Sequence, residues 1–293
     1  MDRIDKLILK HIGKNSVSGE KLAHLTGISR VAIWKRIKKL EKLGYKITHT
    51  KNGYFLEKET DYITPFEIEK FLKSRYLGKN FIFFEETDST NIRAKEEDFP
   101  HGTVVFAESQ TAGKGRKGRK WLSEKGKGLY FSVVLKENLN LENFTVLSLL
   151  FPVAVKEAIE KHIRNNIHLK WPNDLYINGK KFSGFLIETE IEGNEITKVI
   201  AGIGINVNNT EESLKKIETP ATSLLVEEKR EINRKQLLAD ILETIEDYIE
   251  SFQSEKILKK ADESLLWKGE EVILPEKDIS GKLIGINKDG GLI

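Results

Sequence analysis

Cysteine is absent from the 293 residues, methionine occurs once and proline six times. Without cysteine there is no disulfide, no thiolate metal site and no cysteine nucleophile. No apolar run approaches the roughly 20 residues of a membrane-crossing helix, so no membrane partner is expected. The opening stretch MDRIDKLILKHIGKN is interrupted by acids, and no small-residue cleavage site follows it, so it does not read as a secretory signal. The default compartment is the cytoplasm. With 39% hydrophobic and 32% charged residues, the chain is expected to be soluble, to bury a sizeable core and to divide into two or three domains.

The net charge of +3 conceals an asymmetry. Residues 1–60 carry 14 Lys/Arg against 6 Asp/Glu, a net +8, and the remainder carries 34 against 39, a net −5. A basic head on an acidic body directs any search for nucleic-acid contact to the head. There, Ile4, Leu7, Ile8 and Ile12 recur at helical spacing before Gly13. Ser18 caps a second helix that ends at Gly27, and Ser29 caps a third, SRVAIWKRIKKLEKLG, closed by Gly44. In that third helix Val31, Ile33, Ile37 and Leu40 are expected to point inward, and Arg30, Lys35, Arg36, Lys38 and Lys39 outward. Two β-like runs then flank Lys51-Asn52-Gly53, and Asn-Gly is a common hairpin turn. Helix, short turn, basic helix and hairpin together describe a winged helix-turn-helix. DNA contact is assigned to Ser18, Ser29, Arg30, Ala32, Lys35 and Arg36. A lysine-rich solvated helix in a protein-interaction module is the plainer alternative.

Thr64-Pro65-Phe66-Glu67 combines a helix cap, a first-turn proline and a capping-box glutamate, and marks a new domain. Beyond it, helical stretches (65–77, 91–97, 142–162, 233–253) alternate with β-like runs (81–86, 103–107, 129–135, 167–170, 174–177, 181–188, 197–208). This predicts a mixed α/β domain with a largely antiparallel sheet.

Four segments of this body carry chemistry. Thr87-Asp88-Ser89-Thr90-Asn91 offers hydroxyls, an amide and helix N–H groups suited to a neutral polar ligand, though alone it reads equally as a helix cap. Gly113 to Lys120, GKGRKGRK, holds five cationic side chains and three glycines. It is not a Walker A loop, since no Lys-Ser/Thr follows Gly118. Its like charges predict mobility unless an anion orders it. As a bare string it fits a nucleic-acid patch, but its place between strands of an acidic domain favours a phosphate-binding loop. Lys170-Trp171-Pro172-Asn173-Asp174 presents an amide and a carboxylate at a strand end, able to meet a nucleotide or Mg²⁺. It leads through Asn178-Gly179 to Lys181 on the return strand, and a surface turn is the alternative. Gly202-Ile203-Gly204-Ile205-Asn206 puts glycines inside an apolar strand, a sign of close approach by a ligand or another strand, as does Gly184.

Taken in order, TDSTN, AESQTAGKGRKGRKW, KWPNDLYINGKKFSG and AGIGINVN resemble the biotin protein ligases. With the basic head, they resemble the bifunctional class that is also a biotin-operon repressor. The resemblance spans nearly the whole chain. It implies a winged helix-turn-helix over 1–62, a biotin- and ATP-binding catalytic domain over 63–264, and a partial SH3-like β-barrel over 265–293. The last is either abbreviated or continued beyond Ile293. By similarity Ser89, Thr90, Asn91 and Gln110 would hold biotin's ureido ring and carboxylate region. Lys114, Gly115 and Arg116 would fold over the ligand, and Lys181 would lie between biotin's carboxylate and the α-phosphate of ATP. Arg116, Arg119, Trp121, Lys170, Asn173, Asp174, Gly202, Gly204 and Asn206 would serve the nucleotide, with Asp174 also a Mg²⁺ ligand. Lys181, Arg116 and Arg119 would carry catalysis. Lys114 stands where the family often has arginine, which removes a bidentate fork at that position.

The implied activity is ATP-dependent formation of biotinyl-5'-AMP and transfer of biotin to a lysine of a biotin carboxyl carrier-type protein. The implied regulation is operator binding by a homodimer of the adenylate-bound form. Three alternatives remain: a lipoate-type acyl-adenylate ligase, a ligand-sensing regulator without ligase activity, and a nucleic-acid-binding protein using both basic regions. Net −5 over the body disfavours the last.

Overall fold

The computed structural model describes every residue except 137–138, 141–143, 194, 218 and 275–277, and only the backbone of 139–140. The first two residues of the expected 142–162 helix fall outside this set. The chain divides into two compact units, Met1–Lys70 and Phe71–Ile293.

In the first unit α1 (Arg3–Ile12), α2 (Gly19–Thr26) and α3 (Arg30–Lys42) precede a hairpin of β1 (Lys46–Thr50) and β2 (Gly53–Lys58), and α4 (Pro65–Glu69) closes it. Ser18 accepts from the Lys21 N–H and Ser29 from the Ala32 N–H, so both serines cap helices as expected. Gly27 ends α2 in the left-handed conformation (φ 71°). In the hairpin Thr50 pairs with Gly53, so Lys51 and Asn52 form the turn and Gly53 opens the return strand. A Cβ at Gly53 would meet the Val17 carbonyl oxygen at 2.1 Å, because Val17 bridges to Tyr54 as a third short strand.

Ile33, Ile37 and Leu40 of α3 are fully buried, but Val31 is 65% exposed rather than inward. It precedes Ile33 by two residues, about 200° around the helix, and so faces the opposite way. Arg36 departs in the other direction. Its Nη1 lies 2.7 Å from Oδ1 of fully buried Asp5 and 2.7 Å from Oδ2 of Asp2, at the start of α1. Its charge therefore holds α3 to α1.

In the second unit the elements run β3 (Phe81–Phe84), α5 (Thr90–Glu96), β4 (Thr103–Ala107), β5 (Leu129–Leu135), β6 (Leu139–Asn140), α6 (Phe144–Glu160), β7 (His168–Lys170), β8 (Asp174–Ile177), β9 (Lys180–Glu192), β10 (Glu195–Ile205), α7 (Glu211–Leu214), α8 (Leu224–Glu228), α9 (Arg234–Glu250), α10 (Ser254–Glu263), β11 (Glu271–Leu274) and β12 (Ile279–Lys282). The main sheet has the order β3-β4-β5-β10-β9-β8-β7, with β6 beside β10. All pairs but parallel β3–β4 are antiparallel. Every residue of β5 is buried, which places packed layers on both faces of the central sheet. On one face Ala94 of α5 joins Val105, Val134 and Ile200, while α6 packs on α9 and against β8 and β9.

The helix expected over 65–77 stops at Glu69. The backbone N–H groups of Arg75, Tyr76 and Leu77 donate instead to the buried carboxylate of Glu246 on α9, at 2.5, 2.9 and 2.7 Å. The C-terminal segment contains the hairpin β11–β12 and an Ile286–Leu292 bridge, with no closed barrel among the described residues.

Burial alone would raise the Glu246 pKa, but the three N–H donors and Arg75 outweigh it and hold the carboxyl below its usual range. A depressed folded-state pKa means a stabilisation present at neutral pH and lost as pH falls through the folded value. Glu246→Gln is expected to lower stability by about 2 kcal/mol at pH 7, the scale of hydrogen bonds to a charged group. In denaturant titrations across pH, the gap between wild type and variant should narrow below about pH 4.5, near the unfolded-state glutamate value. A gap independent of pH would show that the charge does not matter.

Candidate active site

Along β10 and β9, Gly202, Gly204 and Gly184 share one face, with Gly204 paired to Gly184 across the strands. Other segments occupy the space their missing side chains leave. A Cβ at Gly202 would lie 2.3 Å from Asn91 Oδ1, one at Gly204 2.5 Å from the Trp121 indole, and one at Gly184 3.1 Å from both Trp121 and Lys181. The sheet is bare where the TDSTN helix start and the end of the glycine-arginine loop press against it.

At the start of α5, Ser89 occupies the cap position but makes no side-chain cap hydrogen bond. Its role is therefore not that of an ordinary cap. Thr90 N–H donates to Gln110 Oε1 (2.8 Å), and Gln110 Nε2 donates to Ser123 Oγ (2.9 Å). Ser132, from β5, places its Oγ 2.7 Å from Thr90 Oγ1 and 2.6 Å from Asn91 Oδ1. Asn91 Nδ2 donates to Glu188 Oε2 (2.8 Å) and to the Leu186 carbonyl (3.3 Å). The result is a buried polar wall above the glycine floor.

The basic loop, expected to be mobile unless an anion orders it, folds as a small turn closed by its own backbone. Lys114 bridges to Lys120, Gly115 N–H donates to the Arg119 carbonyl (2.7 Å), and Lys117 and Gly118 both take left-handed conformations (φ 58° and 71°). Its cationic side chains are exposed. Arg116 reaches across the site, its Nη1 donating to Asn173 Oδ1 at 3.3 Å, and Asn173 Nδ2 donates to the Phe185 carbonyl. The Trp171–Pro172 bond before Asn173 is cis. Lys181 Nζ pairs with Asp174 Oδ1 at 2.7 Å and stands 5.5 Å from the Trp121 ring centre. Lys170 lies over the rings of Tyr176 and Trp267. Burial pushes the Asp174 pKa up, and Lys181, Lys170 and Arg116 only partly offset it. Tyr176, whose hydroxyl is raised to about 12 by burial and then by Asp174, feels an opposing pull from Arg119. One carboxylate among four cations describes a site for a polyanion, and the carboxylate still gains from a further positive charge.

Residues 83–206 match the biotin/lipoate A/B protein ligase family, and residues 5–55 match a helix-turn-helix domain. The bifunctional ligase/repressor BirA of Bacillus subtilis is 36% identical over 240 residues, covering 80% of this chain and 74% of that protein. The Escherichia coli protein of the same name is 28% identical over 289 residues, covering 94% and 87%. A biotin protein ligase from Aquifex aeolicus, solved in complex with biotin and ATP, superposes with a TM-score of 0.63 at 39% identity, covering 73% of this chain and 90% of that one. The chain belongs to the bifunctional biotin ligase/repressor family.

Within this family fold, most of the expected site residues converge. Thr90, Asn91, Gln110, Arg116, Trp121, Asn173, Asp174, Lys181, Gly184, Gly202 and Gly204 are linked through the contacts above, and Ser89 precedes Thr90 at the start of α5. Asn206 stands apart. It is buried beyond the floor, and its Nδ2 donates to the Thr222 carbonyl, fastening the 220–222 segment that also pairs with the Lys181 backbone. Asn91 lies in the wall with both its amide hydrogens bound by protein acceptors. Lys114 and Arg119 share the exposed loop. Sequence reasoning passed over Ser132, Ser123 and Glu188. Ser132 had a visible sign, a lone hydroxyl inside the otherwise apolar run LYFSVVL, whereas Ser123 and Glu188 had none.

Gly204→Ala is expected to destabilise the protein by about 1–3 kcal/mol, since the new methyl must displace the Trp121 indole. In a Trp121→Ala background the same change should be nearly neutral. Equal penalties in both backgrounds, measured by denaturant unfolding, would mean that Trp121 is not what keeps position 204 bare.

Proposed function

We propose that this chain activates biotin with ATP to biotinyl-5'-AMP, transfers biotin to a lysine of a biotin carboxyl carrier-type protein, and represses transcription through its basic first unit. The convergence of Arg116, Asn173, Asp174 and Lys181 beside a glycine floor and a neutral polar wall carries this reading. Attack of the biotin carboxylate on the α-phosphorus builds negative charge on the phosphate oxygens as pyrophosphate departs. Lys181, released from Asp174 by the incoming anions, stabilises that charge, and Arg116 closes the loop over the adenylate. The product is a mixed anhydride labile to water, so a closing loop protects it until an acceptor amine displaces AMP. Lys170 and Arg119 flank the nucleotide, and Trp121 walls the biotin chain.

No cluster of three or more acidic, cysteine or histidine ligands occurs among the described residues. A Mg²⁺ ion would therefore be held by Asp174 together with triphosphate oxygens and water, a mode the ion favours. It would neutralise the leaving pyrophosphate. The raised Asp174 pKa fits a carboxylate suited to a second cation.

For the first unit, charge and shape support operator DNA as partner. Arg30 and Lys35 are exposed on α3 and Ala32 is half-buried, with Ser18 and Ser29 at the helix starts. A single recognition helix reads one half-site, so the chain would act as a homodimer that forms when the adenylate orders the 113–120 loop. No helix is long and apolar enough to cross a membrane among the described residues, which accords with a cytoplasmic setting.

Pyrophosphate release from ATP and Mg²⁺ tests the central claim, compared with biotin, with lipoate and with neither. Only biotin should stimulate it, and Lys181→Ala should slow the step by roughly 10²–10³. Stimulation by lipoate alone would replace this reading with the lipoate one.

On DNA, Arg30→Ala and Lys35→Ala should each weaken binding and lower the salt-dependence slope by about one, without changing thermal stability. Arg36→Ala should act differently. It leaves Asp5 underpaired and should destabilise the unit by about 2 kcal/mol, less than for a fully buried pair because Arg36 is partly exposed. An Arg36→Ala protein of unaltered stability and lost DNA binding would return this arginine to the interface.

A further inference from the structure

The outward face of α3 is less cationic than its sequence suggests. Ile33, Ile37 and Leu40 are fully buried and mark the inner line of the helix. Successive residues turn by about 100°, so Val31, Lys35, Lys38 and Lys42 fall on the opposite side. Several cations of α3 are already engaged. Arg36 is drawn to Asp2 and Asp5, Lys39 Nζ lies 3.4 Å from Asp5 Oδ2, and Lys38 Nζ lies 2.8 Å from Glu41 Oε2.

The first turn of that face is apolar at its centre. Val31, the second residue of α3, is 65% exposed, and Trp34 is 50% exposed. Residues three apart are neighbours on a helix surface, so the two side chains make one strip, with exposed Lys35 one turn beyond Val31. The free fold gives no reason for them. A β-branched valine is a poorer helix former than alanine, lysine or arginine, and one that faces water gains no burial in return. Single exposed apolar residues are common on any surface. These two are adjacent, and they open the helix that the proposed function sets in the major groove.

In a helix-turn-helix the first residues of the second helix meet base edges. Guanine, adenine and cytosine present hydrogen-bond donors and acceptors there, which an aliphatic side chain would strip of water without return. Thymine adds a methyl group, the one apolar feature among the four. We infer that Val31 is a specificity-determining residue that reads a thymine methyl in each operator half-site, with Trp34 covering the contact from one side. This deepens the DNA-binding reading of the first unit and rests on it. The exposed cations then supply affinity for any duplex, and Val31 supplies sequence.

The test uses the full-length chain with biotin, ATP and Mg²⁺, and a duplex that it selects from a random pool. Each thymine of the selected half-sites is replaced in turn by deoxyuridine, which removes the methyl and keeps the pairing edge. At one thymine position, replacement in both half-sites should weaken binding about fifteenfold, near fourfold for each buried methyl. In Val31→Ala, whose shorter side chain falls short of the methyl, the ratio should drop to within about twofold. Its salt-dependence slope should match wild type, because no cation is lost. Val31→Asn should shift the base selected at that position from thymine to adenine, whose N6 and N7 suit an amide. Val31 faces solvent, so neither substitution disturbs the core of the unit. Wild type that selects no thymine, or that is indifferent to every deoxyuridine, overturns the inference and leaves DNA binding itself standing. An unchanged ratio in Val31→Ala overturns it too, and a weaker dimer in the same variant would assign Val31 to a protein contact. Wild type that selects no duplex at all removes the DNA reading, and the inference with it.

Discussion

Three positions without side chains, Gly184, Gly202 and Gly204, govern how the second unit becomes a site. A sheet built from β-branched and aromatic residues has no room for other segments to lie on its face, and these glycines open a strip there. Trp121 settles on Gly204 and Gly184, which anchors the far end of the basic loop. Asn91 settles on Gly202, which sets the start of α5. Because Gly184 pairs with Gly204, the same strip brings Lys181, a few residues back along β9, against the Trp121 ring. Three chemically unlike segments are thus brought to one place by an absence of atoms.

Charge then divides the site. The wall of Thr90, Asn91, Gln110 and Ser132 is neutral and closed on itself, whereas the corner of Lys170, Asp174, Lys181 and Arg116 is a cationic cluster around one carboxylate. The two halves match the two halves of an acyl-adenylation reaction, an uncharged ring at one end and a polyphosphate at the other. Lys181 pairs with Asp174, yet the half-buried carboxylate remains undercompensated. On the proposed reading, a triphosphate with its metal would take both partners at once, the lysine gaining a phosphate and the carboxylate a cation.

Much of this was legible along the chain. The strands 103–107, 129–135 and 174–177 carried over unchanged, because the first two are continuously apolar runs buried on both faces and the third alternates cleanly. The motif residues were found for the same local reason, that glycine, proline and clustered charge have few other uses. What could not be read were partners distant in sequence. The 65–77 helix fails because Glu246, far along the chain, takes the backbone donors that a helix would need. Arg36 looked like any outward lysine or arginine until Asp2 and Asp5 appeared beside it. The cations of α3 thus overstate the charge it offers to solvent, since Arg36 is bound within the fold.

The C-terminal stretch follows the same logic of distant partners. Read alone, residues 265–293 resemble the beginning of a separate barrel, yet with Ser264 they hold three consecutive residues leading into the KWPND corner. The Leu169 N–H donates to the Ser264 carbonyl and the Leu266 N–H to the Leu169 carbonyl, Lys170 lies 5.0 Å from the Trp267 ring centre, and Trp171 Nε1 donates to the Gly290 carbonyl at 2.9 Å. These contacts fix the strand end immediately before Asn173 and Asp174. This corner is consequently shaped from two sides, by the return strand that carries Lys181 and by the C-terminal segment. A substitution at Trp267 or Gly290 would therefore act on it through the tilt of Lys170 and Trp171, without any change in the number of charges in the corner.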